Sequence, residues 1–317
     1  MFEDLTISQS IISKTLSVSK SVFYKKMIDE NIQAVDSNAS RKRYDVEAIR
    51  KVYSLYLKKN PIKEKINIFY NFKGGTGKTT VCFQMACMLS LIGFKVLVID
   101  LDPQAHLTNV LRFDESLKFK TAYNFLISGS LIDECIYNVH EGLDVVPSNL
   151  ELTRIEVPLS QKTRREEMLV KVLDPIKERY DFILIDTNPA ISNLNVAALF
   201  AADKINIVCE TQPFSLNGLC VLIDELEAIF HDLQKPLNFK VIANKFETKT
   251  ATAQEVLGVL RTDYSKEMMN SVIRKCEDLN LSSKNKLPIW AFASKNSAAF
   301  EDMNDLLKEF IAPSTLM

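Results

Sequence analysis

A chain of 317 residues, 47% hydrophobic and 25% charged, is long enough to bury a full α/β core, as one large domain or as a large domain with a small one. The formal charge of −1 hides an asymmetry: residues 1–65 hold 13 lysines and arginines against 8 acids, and the remainder 26 against 32, which points the N-terminal piece toward nucleic acid. No apolar run approaches the roughly 20 residues that span a bilayer, no charged-then-apolar signal opens the sequence, and the six cysteines show neither CxxC nor Cys/His spacing; this excludes a helical membrane protein, a disulfide scaffold and a zinc module, and predicts a cytoplasmic protein with buried thiols.

Residues 9–16 and 19–30 are two short helical patterns separated by Ser17 and Val18, the outline of a helix-turn-helix. The stretch 31–43 is polar and contains Arg41, Lys42 and Arg43. Asp45 is placed to cap a third helix running to about Lys59, and Asn60-Pro61 ends that helix and marks a linker. Two domains are therefore expected, 1–60 and 61–317.

Residues 66–70 read as a strand, 81–91 as a helix, and between them stands Asn-Phe-Lys-Gly-Gly-Thr-Gly-Lys-Thr-Thr at 71–80. This is a phosphate-binding loop. Gly74, Gly75 and Gly77 let the backbone turn its N–H groups inward toward a polyanion, Lys78 adds a point charge, and the Thr79 hydroxyl can ligate magnesium. Three of the 8 glycines in the protein sit here, more than composition alone would place in one loop. Further strands are expected at 95–99, 143–146, 182–185, 204–209 and 239–243, and amphipathic helices at 163–179, 219–231 and 251–264. The alternation predicts an α/β, doubly wound, mostly parallel sheet preceded by a small all-α domain. In such a sheet Gly74, Asp100, Asp186 and Asn244 would meet beyond the carboxyl ends of the strands.

The loop departs from the strict P-loop pattern at Phe72, where a glycine is asked for, and carries Lys73 just before the glycine pair. In this it resembles the deviant Walker A motif of the ParA/MinD ATPases, and Phe72 resembles the ParA branch. Asp-Leu-Asp-Pro-Gln-Ala-His from Asp100 resembles the family's Walker A′ element, and Phe-Ile-Leu-Ile-Asp-Thr-Asn-Pro-Ala from Phe182 its Walker B, with Asn188 and Ala190 departing from the commoner ending. The resemblance covers 63–312, including Val-Pro-Ser-Asn-Leu at 146–150. It implies that Lys73 reaches the nucleotide held by the partner subunit, and that Gly74, Gly75, Thr76, Gly77, Lys78, Thr79 and Thr80 bind phosphate. Thr79, Asp100 and Asp186 would hold Mg2+, Asp102 would orient the attacking water, and Asn244 would present its amide to adenine. Lys73, Lys78 and Asp102 are thus the implied catalytic set and ATP the implied nucleotide, although Asn-Lys-Phe-Glu at 244–247 partly echoes a guanine-reading pattern.

At the N-terminus, residues 11–25 followed by Arg43-Tyr44-Asp45 resemble the helix-turn-helix of MerR-like winged modules. The second helix would enter the major groove with Lys20, Ser21, Tyr24 and Lys25, while Arg41, Lys42 and Arg43 grip phosphate. The whole resemblance implies a DNA-partition ATPase: an ATP-dependent homodimer that coats nucleoid DNA nonspecifically and is stimulated by a ParB-type centromere-binding partner, with operator binding through residues 1–60. Arg261, Arg274 and Lys275 are candidates for the nonspecific surface. The alternatives are a MinD-like positioning ATPase, a kind that ends in a basic amphipathic helix where residues 310–317 carry no positive charge, and a nucleotide-responsive repressor.

Overall fold

The computed structural model describes residues 4–35, 42–114, 116, 118–312 and 315–316. The chain opens with β1 (Thr6–Ser8), α1 (Gln9–Thr15), α2 (Lys20–Asp29), β2 (Arg43–Asp45), α3 (Val46–Ser54) and β3 (Lys58–Lys59). There follow β4 (Ile66–Tyr70), α4 (Lys78–Leu91), β5 (Val96–Asp100), α5 (His106–Val110), α6 (Ala122–Leu126), β6 (Tyr137–His140), β7 (Leu143–Val146), α7 (Glu156–Ser160), α8 (Met168–Leu173), β8 (Phe182–Asp186) and α9 (Asn193–Ala201). The last part runs β9 (Lys204–Glu210), α10 (Pro213–Asp232), β10 (Phe239–Phe246), α11 (Ala251–Asp263), β11 (Met268–Arg274), α12 (Glu277–Asn285), α13 (Ile289–Phe292), α14 (Ala298–Ile311) and β12 (Thr315–Leu316).

An eight-stranded sheet in the order β11-β10-β9-β4-β8-β5-β7-β6 organises the molecule, and only the β6–β7 edge pair is antiparallel. Every residue of β4, β5 and β8 is buried, as expected of strands covered on both faces. Alternate side chains go to opposite cores: Ile66, Ile68 and Tyr70 pack with α8, α9 and α10, whereas Phe69 joins the α4 and α14 side. The mostly parallel α/β architecture expected from the alternation is therefore the one observed. The register sets Asp100 opposite Asp186 at the carboxyl ends of β5 and β8, the first step in building the site.

Three expectations are corrected. The N-terminal piece is not all-α, since β1 and β2 pair antiparallel, and its third helix ends at Ser54 where about Lys59 was expected, Lys58–Lys59 being the short strand β3. The single helix expected over 163–179 is instead α8 between short 3₁₀ turns, because Pro175 has no N–H to continue the ladder and its ring crowds the preceding turn. The edge strands β6 and β11 escape a periodicity reading, since Tyr137–His140 and the half-exposed Met268–Arg274 carry no continuous apolar run.

The N-terminal elements lie against the α4, α13 and α14 face and share its apolar core, with Ile7, Ile12, Phe23, Ile49 and Val52 in one cluster with Met88 and Phe300. Tyr53 stacks on Trp290 at 6.0 Å between ring centroids. Asp45 caps α3 by accepting from the Ala48 N–H at 2.9 Å. Arg50 then reaches from α3 to the carbonyls of Ser90, Gly93 and Phe94 just past the end of the P-loop helix α4, where the Gly93 N–H also donates to Ser90 and Lys59 to Gly93. Arg50→Ala leaves the Ser90 and Phe94 carbonyls without their charged donor, and should lower unfolding free energy by about 1–3 kcal/mol in a urea titration. An unchanged midpoint would show that water satisfies them equally well.

Candidate nucleotide site

Gly75 and Gly77 have φ of 78° and 96°, a left-handed backbone open to glycine at little strain. At Gly77 a side chain is also excluded by contact, since an added Cβ would fall 2.3 Å from the Asn244 amide nitrogen. Gly77 is the N-cap of α4 and no side chain caps that end, so its first N–H groups and the positive end of the helix face the loop's interior. Phe72, the departure from the strict pattern, sets its ring edge-on to Tyr70 at 5.6 Å, and the Tyr70 hydroxyl donates to the Ala190 carbonyl. The aromatic pair therefore ties the P-loop to the 187–191 loop, work that a glycine could not do.

The carboxylates differ in how they are held. Asp100 is fully buried and accepts from the Asp102 N–H at 3.0 Å and from the Thr108 N–H and hydroxyl at 2.9 and 2.7 Å. Burial nevertheless raises its carboxyl to about 6, against those hydrogen bonds and with the Asp102 charge adding to the rise. Asp100 thus organises the 100–108 loop, and Thr108 passes the connection on to the Ser148 N–H at 2.8 Å. Asp186 is equally buried, yet neither of its oxygens has a hydrogen-bond partner; the Thr79 hydroxyl approaches it without well-formed geometry. Burial first, and the Asp100 charge second, push its carboxyl well above the ordinary value. Lys78 is buried beside it, and desolvation lowers its ammonium against the opposing pull of Asp186 and Asp102. Asp102 is almost buried and accepts from the Gln104 N–H.

An orphaned buried carboxylate beside a hydroxyl is what a divalent cation would satisfy. Among the described residues no three acidic, histidine or cysteine side chains converge as a self-sufficient cage, which suits magnesium, an ion that keeps waters and takes substrate phosphate oxygens. The residues present fit it: Asp186 and Thr79 with open oxygens, and Asp100 one strand away.

Several expected site residues stand in unexpected contacts. Asn244 is buried, donating to the Thr76 carbonyl at 2.7 Å and accepting from the Lys245 N–H at 2.8 Å, so one end of its amide braces the P-loop and the other fixes its own backbone turn. Lys73 is exposed and binds Glu210 at 2.8 Å and the Ser215 hydroxyl at 3.1 Å within its own chain. Lys245 bonds the same Glu210 at 2.8 Å and the Gly75 carbonyl. Sequence reasoning missed Thr108, Glu210, Ser215 and Lys245; of these only Lys245, adjacent to Asn244, had a local signal. Asn195, also missed, donates to Asn188 and Ala190 and so orders the loop whose sequence departs from the common motif.

In the N-terminal region Lys20, Ser21, Tyr24 and Lys25 lie exposed along α2, which Ser19 caps through the Val22 N–H. Lys42 sits over the Tyr24 ring at 4.2 Å. Arg43 is a correction: its Nε and Nη2 donate to the Thr6 hydroxyl and carbonyl and to the Ala291 carbonyl, which pins β2 to β1 and α13 and commits those donors to the fold instead of to phosphate. Arg41 lies outside the described residues. Arg274 is likewise corrected as a DNA contact, since the Asp302 carboxylate accepts from its Nε at 2.9 and 3.0 Å and from its Nη2 at 2.7 Å, and Glu301 accepts from Nη2 as well. Lys275 is paired with Glu247 at 2.7 Å, while Arg261 is exposed. No helix of the described residues is long and apolar enough to cross a membrane.

Comparison with known proteins agrees with this geometry. The AAA_31 family model, an AAA domain, matches residues 63–239. The chromosome-partitioning ATPase Soj of Treponema pallidum is 30% identical over 251 residues, covering 78% of this chain and 97% of that one. The cell division protein PomZ of Myxococcus xanthus is 29% identical over 246 residues, covering 77% of each chain. Among solved structures, a plasmid partition protein of Borrelia burgdorferi bound to AMPPNP superposes with a TM-score of 0.67 at 27% identity, covering 79% of this chain and 100% of that one. From the P-loop geometry and these matches together, the chain belongs to the ParA/MinD family of P-loop ATPases.

Proposed function

We propose that the protein is a DNA-partition ATPase, cytoplasmic and nucleoid-associated, that dimerises on ATP, holds DNA nonspecifically in that state, and hydrolyses ATP when a ParB-type centromere-binding partner engages it. The observation that carries the reading is the pairing of an uncapped P-loop helix with the orphaned Asp186 carboxylate: an anion site and a cation site at the ends of the neighbouring strands β4 and β8, as MgATP requires. Similarity to Soj and to the Borrelia plasmid partition protein supports the cargo being a replicon.

Phosphoryl transfer asks the protein mainly for positioning and charge neutralisation. The N–H groups of 74–80 and the Lys78 ammonium hold the β and γ phosphates, and Asn244 and Lys245 keep the loop in shape through the Thr76 and Gly75 carbonyls. Thr79 and Asp186, with Asp100 behind them, would hold Mg2+, which would supply charge neutralisation for the phosphates. Asp102 is fixed through its contact with the Gln104 N–H and accepts a hydrogen bond from the attacking water. Lys73 serves the partner's nucleotide in the dimer.

A second DNA mode belongs to α2, whose exposed Lys20, Ser21, Tyr24 and Lys25 read an operator while Lys42 and Arg41 contact phosphate. Because the N-terminal elements share the α4 core, truncation would expose apolar surface, so the test uses substitutions. Tyr24→Ala and Lys25→Ala should each weaken operator binding by roughly tenfold, leaving ATP-dependent binding to random duplex unchanged. Loss of one phosphate contact lowers the log–log salt slope by about 0.9. Fluorescence anisotropy with operator and random duplexes, with ATP or ADP, across a salt series checks both modes; random-DNA affinity that ignores the nucleotide would overturn the partition reading. The likeness to PomZ favours a positioning ATPase as second reading, and the same assay with its cargo in place of a ParB-type partner separates the two.

A further inference from the structure

We infer that Glu210 is a latch that holds the signature Lys73 in its own chain and thereby sets the protein concentration at which the ATP-bound dimer forms. The inference deepens the proposed function and rests on its assignment of Lys73 to the partner's nucleotide. Three features of the contact carry it.

The backbone of Lys73 is fixed while its side chain is free to swing. Asn71 accepts from the Lys73 N–H at 2.9 Å and anchors its own amide on the Val208 carbonyl at 2.8 Å, so the root of the lysine does not move. The side chain itself is 44% exposed, and among the described residues its ammonium bonds Glu210 and Ser215, at the surface end of the site. It can leave through solvent without disturbing the core.

Glu210, by contrast, is nearly buried, with a side-chain exposure of 10%, and an unpaired carboxylate there would resist losing its partner. The second lysine removes this obstacle. Lys245 binds the other carboxylate oxygen at 2.8 Å and stays in place through the Gly75 carbonyl, so Glu210 keeps a counter-ion when Lys73 departs. Burial works to raise the Glu210 carboxyl, but the hydrogen bonds from Lys245 and Lys73 outweigh it and keep it ionised.

The exchange is therefore one lysine moving between a single carboxylate in its own chain and the polyphosphate of the partner's nucleotide. Each carboxylate is a competitor that must be displaced before the dimer closes, and a symmetric dimer has two. A half-exposed ion pair of this kind is worth about threefold in an equilibrium constant, hence about tenfold for two latches opened together.

The test titrates full-length wild type, Glu210→Gln, Ser215→Ala, Lys73→Ala and the double variant Lys73→Ala/Glu210→Gln at saturating AMPPNP and Mg2+, with the dimer fraction read by light scattering. Glu210→Gln should dimerise at about tenfold lower protein concentration, and Ser215→Ala should shift the same way by a smaller factor. In the Lys73→Ala background the Glu210 substitution should change nothing. No shift in either single variant, or a shift that persists without Lys73, overturns the latch; Ser215→Ala keeps the question decidable if Glu210→Gln misfolds. Lys73→Ala dimerising as wild type would instead sink the assignment of Lys73 to the partner's site.

Discussion

Lys78→Ala should reduce ATP affinity by more than about 100-fold, whereas Asp102→Ala should leave affinity within about threefold and slow hydrolysis by about 10²–10³-fold. The difference follows from where each side chain acts. Lys78 is buried at the start of α4, with its charge offset by Asp186 and Asp102, and the β and γ phosphates would become its main partners on binding. Asp102 accepts from the Gln104 N–H, and in the proposed mechanism it orients the water and does not grip phosphate in the ground state. Equilibrium binding of a fluorescent ATP analogue, paired with single-turnover phosphate release, separates the two. Comparable ATP affinity in wild type and Lys78→Ala would remove the P-loop from the binding site, and Asp102→Ala hydrolysing at the wild-type rate would leave the water without its proposed orienter.

The P-loop and the buried strands were legible in the sequence because each is a local signal. Gly75 and Gly77 mark left-handed backbone, and the apolar runs ending in Asp100 and Asp186 mark parallel strands whose ends carry function. What stayed hidden was whatever depends on distant residues. Nothing near Glu210 in the chain announces that its carboxylate lies between Lys73 and Lys245, since β9 reaches the P-loop only through the order of strands in the sheet. Arg43 misled for the same reason: a basic triplet on a polar stretch reads as a phosphate grip, but the pairing of β2 with β1 turns its guanidinium toward Thr6 and Ala291. Sequence separates Asp100 from Asp186 by chemistry not at all, and only the hydrogen-bond partners show that one organises a loop while the other has no hydrogen bond.

That difference yields an effect opposite in sign for stability and function. In the absence of nucleotide, Asp186 is a buried carboxylate without hydrogen bonds, facing Asp100, and its carboxyl lies well above the ordinary range. A carboxyl whose folded value is raised favours the folded state only while protonated. The unfolded chain releases that proton near the reference value of about 3.9, so stability is greatest below it and falls as pH rises toward the folded value. Asp100, raised to about 6, contributes a decline of the same sign between those two values. Asp186→Asn removes the charge while keeping the shape, so in EDTA at pH 8 the variant should unfold at higher urea, by about 1–3 kcal/mol, and its stability should fall less between pH 4 and 8. Wild type should recover the difference when MgATP is added, because a cation beside Thr79 supplies the missing partner, whereas the variant should gain little from Mg2+. Urea titrations at several pH values, with EDTA or with Mg2+ and nucleotide, read all of this at once. If Asp186→Asn is no more stable than wild type in EDTA at pH 8, the carboxylate is not the destabilised group that burial without hydrogen bonds makes it.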